Sequence, residues 1–518
     1  MAGRAQPLKG MSGTVTASLL ALAVTTTFAA VLFRAEPTRG LTSADWAAIR
    51  FTVVQAVLSA GFSTLLAIPV ARALARRQFR GRAFIITLLG APFILPVVVA
   101  VMALLAVFGR NGWLNGILLW AGLEPIAIYG PHGVVFAHVF FNLPLATRLF
   151  LHGWQAVPAE RFRLAAQLGL GPKELWRVIE LPMLARVAPG AFAVILSICM
   201  TSFAVALTLG GGPRATTIEL AIYQAFRFDF DLGKAAFMGL VQIVLVSGVV
   251  IVALSVARQD GFGGGLDRPV RIWGVSGSGA RMWDYTCVVL VTGFLLLPIG
   301  TYLVRAIPGV LHLSSQVWSA ALISICVALA STAMTLLLAL PIAIRAAAGR
   351  ALAVEVAGLL GLVASPLVVG TGLFLLINPW ANPTSLALPV TALVNALMAL
   401  PFVIRVLTPA VRDCMDDYGR LGMSLGLGGA KFLRIVLVSR IAGPLGFCAG
   451  LAAALSMGDL GVVALFADPE TATLPLQMVR LMGAYRMEEA ASAGVVLMGL
   501  SFGVFAIFDR LGRRYAGN

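Results

Sequence analysis

The sequence predicts an all-α polytopic membrane protein of about twelve transmembrane helices in two homologous six-helix halves. Three observations carry that expectation. Hydrophobic residues make up 59% of the 518, only 12% are charged, and the mean hydropathy is +0.94; soluble domains average roughly 25% charged residues, so this chain cannot cover its own surface in water. Apolar stretches of spanning length recur along the whole chain, a helix needing about 20 residues to cross a bilayer. A single sequence offset superposes one half on the other.

The expected spans run over 14–33, 51–71, 84–109, 132–147, 187–211, 235–257, 285–304, 316–344, 356–380, 384–404, 441–458 and 491–508. The first follows Arg4 and Lys9 but exceeds a secretory signal core in length, so it reads as a retained helix. Basic residues stay on the cytoplasmic side of a span. With the N-terminus inside, the cytoplasmic segments hold 28 of the 38 Lys and Arg residues, including the cluster Arg72, Arg76, Arg77, Arg80 and Arg82. Both termini are therefore expected in the cytoplasm, and the net charge of +16 is accounted for by topology and anionic lipid rather than by nucleic acid.

The repeat is carried by residue types that apolar bias does not supply. Adding 257 to Leu143, Pro144, Arg148, Arg163, Leu164, Leu168, Gly169, Leu170, Gly171 and Arg177 gives Leu400, Pro401, Arg405, Arg420, Leu421, Leu425, Gly426, Leu427, Gly428 and Arg434. Pro96 resembles Pro366 at an offset of 270, the first half carrying 13 more residues in an external loop around Trp113. The reading is a first half over 1–257, a cytoplasmic linker over 258–284 and a second half over 285–518.

Each half has its longest cytoplasmic loop, 148–186 or 405–440, between its fourth and fifth helices. Each loop reads as a helix, a glycine-centred turn and a second amphipathic helix. Glu160 precedes Arg163 by three residues, as Asp417 precedes Arg420, which places each pair on one helical face. Gly169 with Gly171, and Gly426 with Gly428, are expected to supply the positive backbone angles of a tight reversal. Leu175, Trp176, Val178 and Ile179 line up with Phe432, Leu433, Ile435 and Val436. The bland reading is a pair of helices lying on the lipid surface; an identical Leu-Gly-Leu-Gly turn in both halves favours a docking knob.

Other chemistries lack their residues. Five cysteines and four scattered histidines give neither a disulfide framework nor a metal spacing. Gly233-Lys234 is followed by Ala235, so the hydroxyl of a phosphate-binding loop is missing. The run Gly210-Gly211-Gly212-Pro213 reads as a re-entrant turn or outer gate. Almost every span is clear of ionisable residues; Asp459, flanked by apolar 441–458 and 460–467 and aligned with Ser202, is the exception, and such residues are functional candidates.

These residues resemble the permeases of binding-protein-dependent ABC importers. Their loop motif has Glu-Ala-Ala, a following Gly, and Leu-Pro thirteen residues on; here Gly169 and Leu181-Pro182 keep that spacing and Ala165 fills the third motif position. Arg163 and Arg420 stand where that family has Glu, Leu164 and Leu421 replace its first Ala, and Val438-Ser439 replaces the second Leu-Pro. Within the family the chain is most similar to the fused thiamine permeases, through FGRNGWLN at 108–115, FAHVFFNLP at 136–144, LGGGPRATTIELAIYQA at 209–225, NALMALP at 395–401 and SMGDLGVVALF at 456–466.

The resemblance implies a type I importer permease of the bacterial inner membrane, not itself an enzyme, moving thiamine and its phosphate esters. It binds no cofactor; ATP and Mg belong to two copies of a cytoplasmic ATPase, and a periplasmic binding protein delivers substrate. The ATPase-coupling residues would be Glu160, Arg163, Leu164, Ala165, Leu168, Gly169, Leu170, Gly171 and Trp176 in the first loop, with Asp417, Arg420, Leu421, Leu425, Gly426, Leu427 and Gly428 in the second. Asp459 would attract the thiazolium cation, with Phe203 or Tyr223 adding cation–π attraction; a helix end at the outer interface is the equal alternative. Ferric-iron permeases share the duplicated architecture, and an ion-coupled secondary transporter is a remoter rival because its longest loop would join the halves.

Overall fold

The computed structural model describes residues 11–35, 40–256, 277–349, 354, 365–466 and 472–516. Each expected span contains a helix. Among the described residues, eleven segments are long and apolar enough to cross a membrane, and the ninth stretch is represented by the shorter Pro366–Ile377. Residues 356–364 of that stretch and 258–276 of the expected linker lie outside the described residues.

In the first half, α1 (Met11–Arg34) precedes α2 (Ser43–Arg76), which opens on a capping box: Thr42 Oγ1 accepts from Asp45 N, and the Asp45 carboxylate accepts from Thr42 N. The stretch expected as one helix over 84–109 is broken into α3 (Arg82–Leu88) and α4 (Val97–Phe108), because Pro92 and Pro96 cannot donate to a helical ladder. Then come α5 (Trp113–Trp120), α6 (Pro131–Gln155), α7 (Ala159–Gln167), α8 (Pro172–Leu175), α9 (Leu181–Met200), α10 (Ala204–Leu209), α11 (Ile218–Arg227) and α12 (Leu232–Val256). The second half continues with α13 (Ser278–Ala306), α14 (Ser315–Ala347), α15 (Pro366–Ile377), α16 (Ala387–Ser424), α17 (Ala442–Met457), α18 (Gly461–Phe466), α19 (Leu474–Gly483) and α20 (Met487–Ala516).

The same packing trio occurs twice: α2, α6 and α9 pack together in one half, and α14, α16 and α17 in the other. The first helix of each half crosses over. α1 lies against α14 and α15, with Gly13 pressed on the Pro341 carbonyl and Gly372 on the Thr27 carbonyl. In return α13 lies against α4 and α2, and Phe294 meets the Phe136 and Phe140 rings edge-on at 5.6 and 5.5 Å.

Lipid tails are as apolar as the helices, so close backbone approach holds such a bundle together more than hydrophobicity does. One such approach is α17 on α20. Gly446 and Gly450, four residues apart, sit against the backbone of Phe505, Phe508 and Gly512, where any side chain would collide.

Candidate functional site

The two loops begin differently. In the first, Pro158 stops α6 from continuing, and α7 begins afresh at Ala159. The aligned position in the second half is Met415, which leaves the ladder intact. The first loop helix of that half is therefore not separate but the end of α16, 38 residues and about 57 Å long.

Both helices then terminate identically. Gly169 has φ +65° and Gly426 φ +66°. Leu170 N donates to Ala165 O at 3.0 Å and Gly169 N to Ala166 O at 3.1 Å; the second loop repeats this with Leu427 N to Gly422 O at 2.8 Å and Gly426 N to Met423 O at 3.1 Å. This is the left-handed C-terminal cap for which glycine is the favoured residue. The expectation for Gly171 and Gly428 is overturned. Gly171 is extended, φ −73°, as the cap before α8, and in the second loop the further positive angle falls on Gly429 at φ +56° rather than on Gly428.

Beneath the turn, Phe162, Ala165 and Leu175 form a small core of their own. The second loop fills the same space by exchanging sizes. Gly422 replaces Ala165 and Phe432 replaces Leu175, and a Cβ on residue 422 would lie 2.6 Å from the Phe432 ring.

The outward faces match as well. Leu164, Leu168 and Val178 are 56%, 67% and 61% exposed, and Leu421, Leu425 and Ile435 are 55%, 64% and 59% exposed. Glu160, Arg163, Asp417 and Arg420 are exposed around them. No ion pair joins Glu160 to Arg163 or Asp417 to Arg420 among the described residues. Trp176 is half-buried beneath the Arg72 guanidinium, 4.6 Å from its ring centre.

A π turn over Trp176–Glu180 joins the first loop to α9, and another over Leu433–Leu437 leads on to α17. Their anchors differ. Glu180 is fully buried and bridges Arg72 at 2.6 Å and Arg76 at 3.1 Å, while the aligned Leu437 is simply buried in the apolar core.

Away from the loops, α9 and α17 both break inside the apolar layer. The helical ladder ends there, Cys199 O keeping a long bond from Ser202 N at 3.4 Å, and buried amides complete it: Gln55 Nε2 donates to Cys199 O and Gln242 Nε2 to Met200 O, each at 2.9 Å. At the second break Asp459 Oδ1 accepts from Gly461 N at 3.3 Å and so caps α18, while Oδ2 is buried without a hydrogen-bond partner. The neighbouring Gly458 packs on Pro96 of the other half. Phe203 and Tyr223 are brought together, ring centres 5.1 Å apart, on the first break and α11 respectively.

Sequence reasoning read the glycine run as a re-entrant turn or outer gate but did not follow the chain beyond it, and so missed Glu219. Gly211 and Gly212, φ +66° and +129°, turn the chain back inward. Ile218 N then donates to Thr52 Oγ1 at 2.9 Å, two turns or about 10 Å inward from Asp45. Asp45 itself marks the far end of α2, where it pairs with Lys234 at 3.4 Å. From that depth α11 climbs back out, and α19 does the same, Leu474 N donating to Ser324 Oγ at 2.7 Å.

Glu219 at the start of α11 is fully buried; Oε1 accepts from Gln242 Nε2 at 3.0 Å and Oε2 has no partner. Its aligned residue is Leu476. The usable signal was Ile218, Leu220, Ile222 and Phe226 behind the capping Thr217, a buried helical face too short for a span.

No family model matches the chain. It is 37% identical over 490 residues to the thiamine transport system permease protein ThiP of Salmonella typhimurium, covering 91% of this chain and 90% of that one. It is 38% identical over 485 residues to ThiP of Escherichia coli, covering 90% and 89%, and 36% identical over 475 residues to ThiP of Brucella abortus, covering 90% and 87%. Among solved structures, that of a bacterial ABC transporter involved in the import of alginate matches at 17% identity and a TM-score of 0.38, over 42% of this chain and 80% of that one.

Proposed function

This chain belongs to the family of thiamine transport system permeases, and from that premise we propose that it forms the membrane channel of an ATP-driven importer for thiamine and its phosphate esters. The observation that carries the mechanism is the doubled loop. Two identical turns hold matched apolar triplets in the open, as two copies of one partner require.

Both loops lie on the cytoplasmic face, as the distribution of Lys and Arg favours, and both termini lie there. Each loop seats in one subunit of a separate ATPase. When the ATPase pair closes, α9 and α17, which continue from the loops through the π turns, are driven as rods, and the two halves rock about their contact. Substrate arrives from a periplasmic binding protein at the opposite face. Asp459, Phe203 and Tyr223 lie at or against the helix breaks and supply a carboxylate and aromatic faces suited to a thiazolium cation.

The test is uptake of labelled thiamine by vesicles holding the permease, its ATPase and the binding protein. Uptake is expected to require ATP, to be competed by unlabelled thiamine, and to be untouched by ferric iron. Accumulation by the permease alone under a proton or sodium gradient, or competition by ferric iron, overturns the proposal.

A further inference from the structure

At the loop-bearing end of α2 a cavity of about 200 Å³ opens between α2, the first π turn and the start of α13. Its polar wall is Arg72 and Arg76, with Trp176 beside them; Ile68 and Pro69, one turn toward the membrane centre, are its apolar wall, and Trp283 stands at its rim. The charges around it do not balance. Arg72 and Arg76 share Glu180, and Asp284 on the cavity wall is taken by Arg77 at 2.7 Å, leaving three cations against two anions.

Nor are the donors used up. The Arg76 side chain is only 6% exposed, yet its Nε is buried without a hydrogen-bond partner, as is Nε of Arg72. A buried guanidinium N–H left unpaired is costly, and guanidinium geometry fits the paired oxygens of a phosphate as it does those of a carboxylate. The position is that of a lipid head group. Trp283 is 62% exposed and Met282 72% exposed on the same turn of α13, where an amphipathic ring belongs at a membrane interface.

We propose that this cavity is a binding site for the phosphate of an anionic glycerophospholipid, held by Arg72 and Arg76 with the glycerol end of its chains along Ile68, Pro69 and Trp283. The apolar wall on the membrane side is what favours a lipid over free phosphate. The site is single, because the second half has Leu437 where the first has Glu180 and carries no comparable arginine pair there. It would tie one lipid to the junction of the first loop, α2 and the other half's leading helix. The assignment of the lipid to the cytoplasmic leaflet rests on the orientation proposed above; the site itself does not.

The experiment is native mass spectrometry of the full purified permease titrated with phosphatidylglycerol, phosphatidylcholine or inorganic phosphate. One phosphatidylglycerol is expected to bind at least about tenfold more tightly than phosphatidylcholine. Arg72→Gln is expected to weaken it by a similar factor. Ala280→Trp, which fills the cavity while leaving every ion pair in place, is expected to abolish binding, and gel filtration checks that both variants remain folded. Inorganic phosphate that fails to displace the lipid confirms the head group as ligand; phosphate that binds and displaces it confirms the phosphate recognition but removes the lipid. Equal binding of the two lipids, or full phosphatidylglycerol binding by folded Ala280→Trp, overturns the site.

Discussion

Replacing Leu168 and Leu425 by aspartate is the sharpest test of the doubled loop. Each leucine is about two-thirds exposed in the free permease. Full burial of such a side chain is worth about 1.5–3 kcal/mol, so covering it in a partner's groove contributes about 1–2 kcal/mol per loop. Aspartate forfeits that and places an unpaired carboxylate in the contact, at a further cost of about 1–3 kcal/mol. The sum is at least about 2 kcal/mol per site, or roughly thirtyfold in affinity. Neither residue supports the small core beneath its turn, so insertion and thermal stability should be unchanged. Co-purification with the ATPase then reads out directly. The unaltered permease should carry two ATPase copies, Leu168→Asp or Leu425→Asp one, and the double variant none, with thiamine uptake lost. A double variant that retained both copies and transported normally would refute the docking role and leave the loops as surface helices.

Other expectations follow from single contacts. Gly422→Ala should push on the Phe432 ring and cost about 1–3 kcal/mol, and Phe432→Leu in the same chain should recover most of it by recreating the Ala165–Leu175 pairing; melting of the purified variants checks this. Glu180→Gln leaves Arg72 and Arg76 without their anion and should destabilise by about 3–5 kcal/mol, read as a drop in the melting midpoint of the purified permease, whereas Glu180→Asp, which keeps the charge, should lose less; equal midpoints for the two variants would show that the charge does not fasten the loop. Asp459→Asn keeps an oxygen for Gly461 N and so preserves the cap; uptake of labelled thiamine should nevertheless fall about tenfold, and unchanged uptake would reduce Asp459 to a helix cap. Gly450→Leu must separate α17 from α20 and should prevent accumulation of folded permease, visible as loss of the monodisperse peak in detergent.

Hydropathy and offset made the spans, the loops and the glycine turns legible, because each depends on residues close in sequence. Gly169 and Gly426 were readable since a helix reversal needs a left-handed residue at one fixed place. The second glycine of each pair was misread because the following segment sets its angle, and in the second loop that segment starts after Gly429. Proline explains two further differences: Pro92 and Pro96 split one expected span, and Pro158 separates a loop helix that Met415 leaves continuous. A re-entrant turn was legible at 210–213, but the helices that climb back out were not, because ten residues are too few to span and too apolar for a surface loop. Glu219 escaped with them. The anchors of the first loop were beyond any local pattern, Arg76 meeting Glu180 at a separation of 104 residues and Arg77 meeting Asp284 at 207.

The repeat therefore conserves one thing and varies another. What the two halves share is the outward shape of the loops: the cap, the exposed triplet and a filled space beneath it, even where Ala165 and Leu175 become Gly422 and Phe432. What they do not share is how each loop is fastened inside, charge on charge through Glu180 in one half and apolar contact through Leu437 in the other, or what faces the re-entrant helix, Glu219 against Leu476. On the docking proposed above, a partner ATPase needs only the outward shape, so two identical subunits can grip a single asymmetric chain. The interior is free to diverge, as Glu180 against Leu437 and Glu219 against Leu476 do. Fusion into one polypeptide permits this: with both halves encoded once, a residue such as Glu219 can be placed in one half without being imposed on the other.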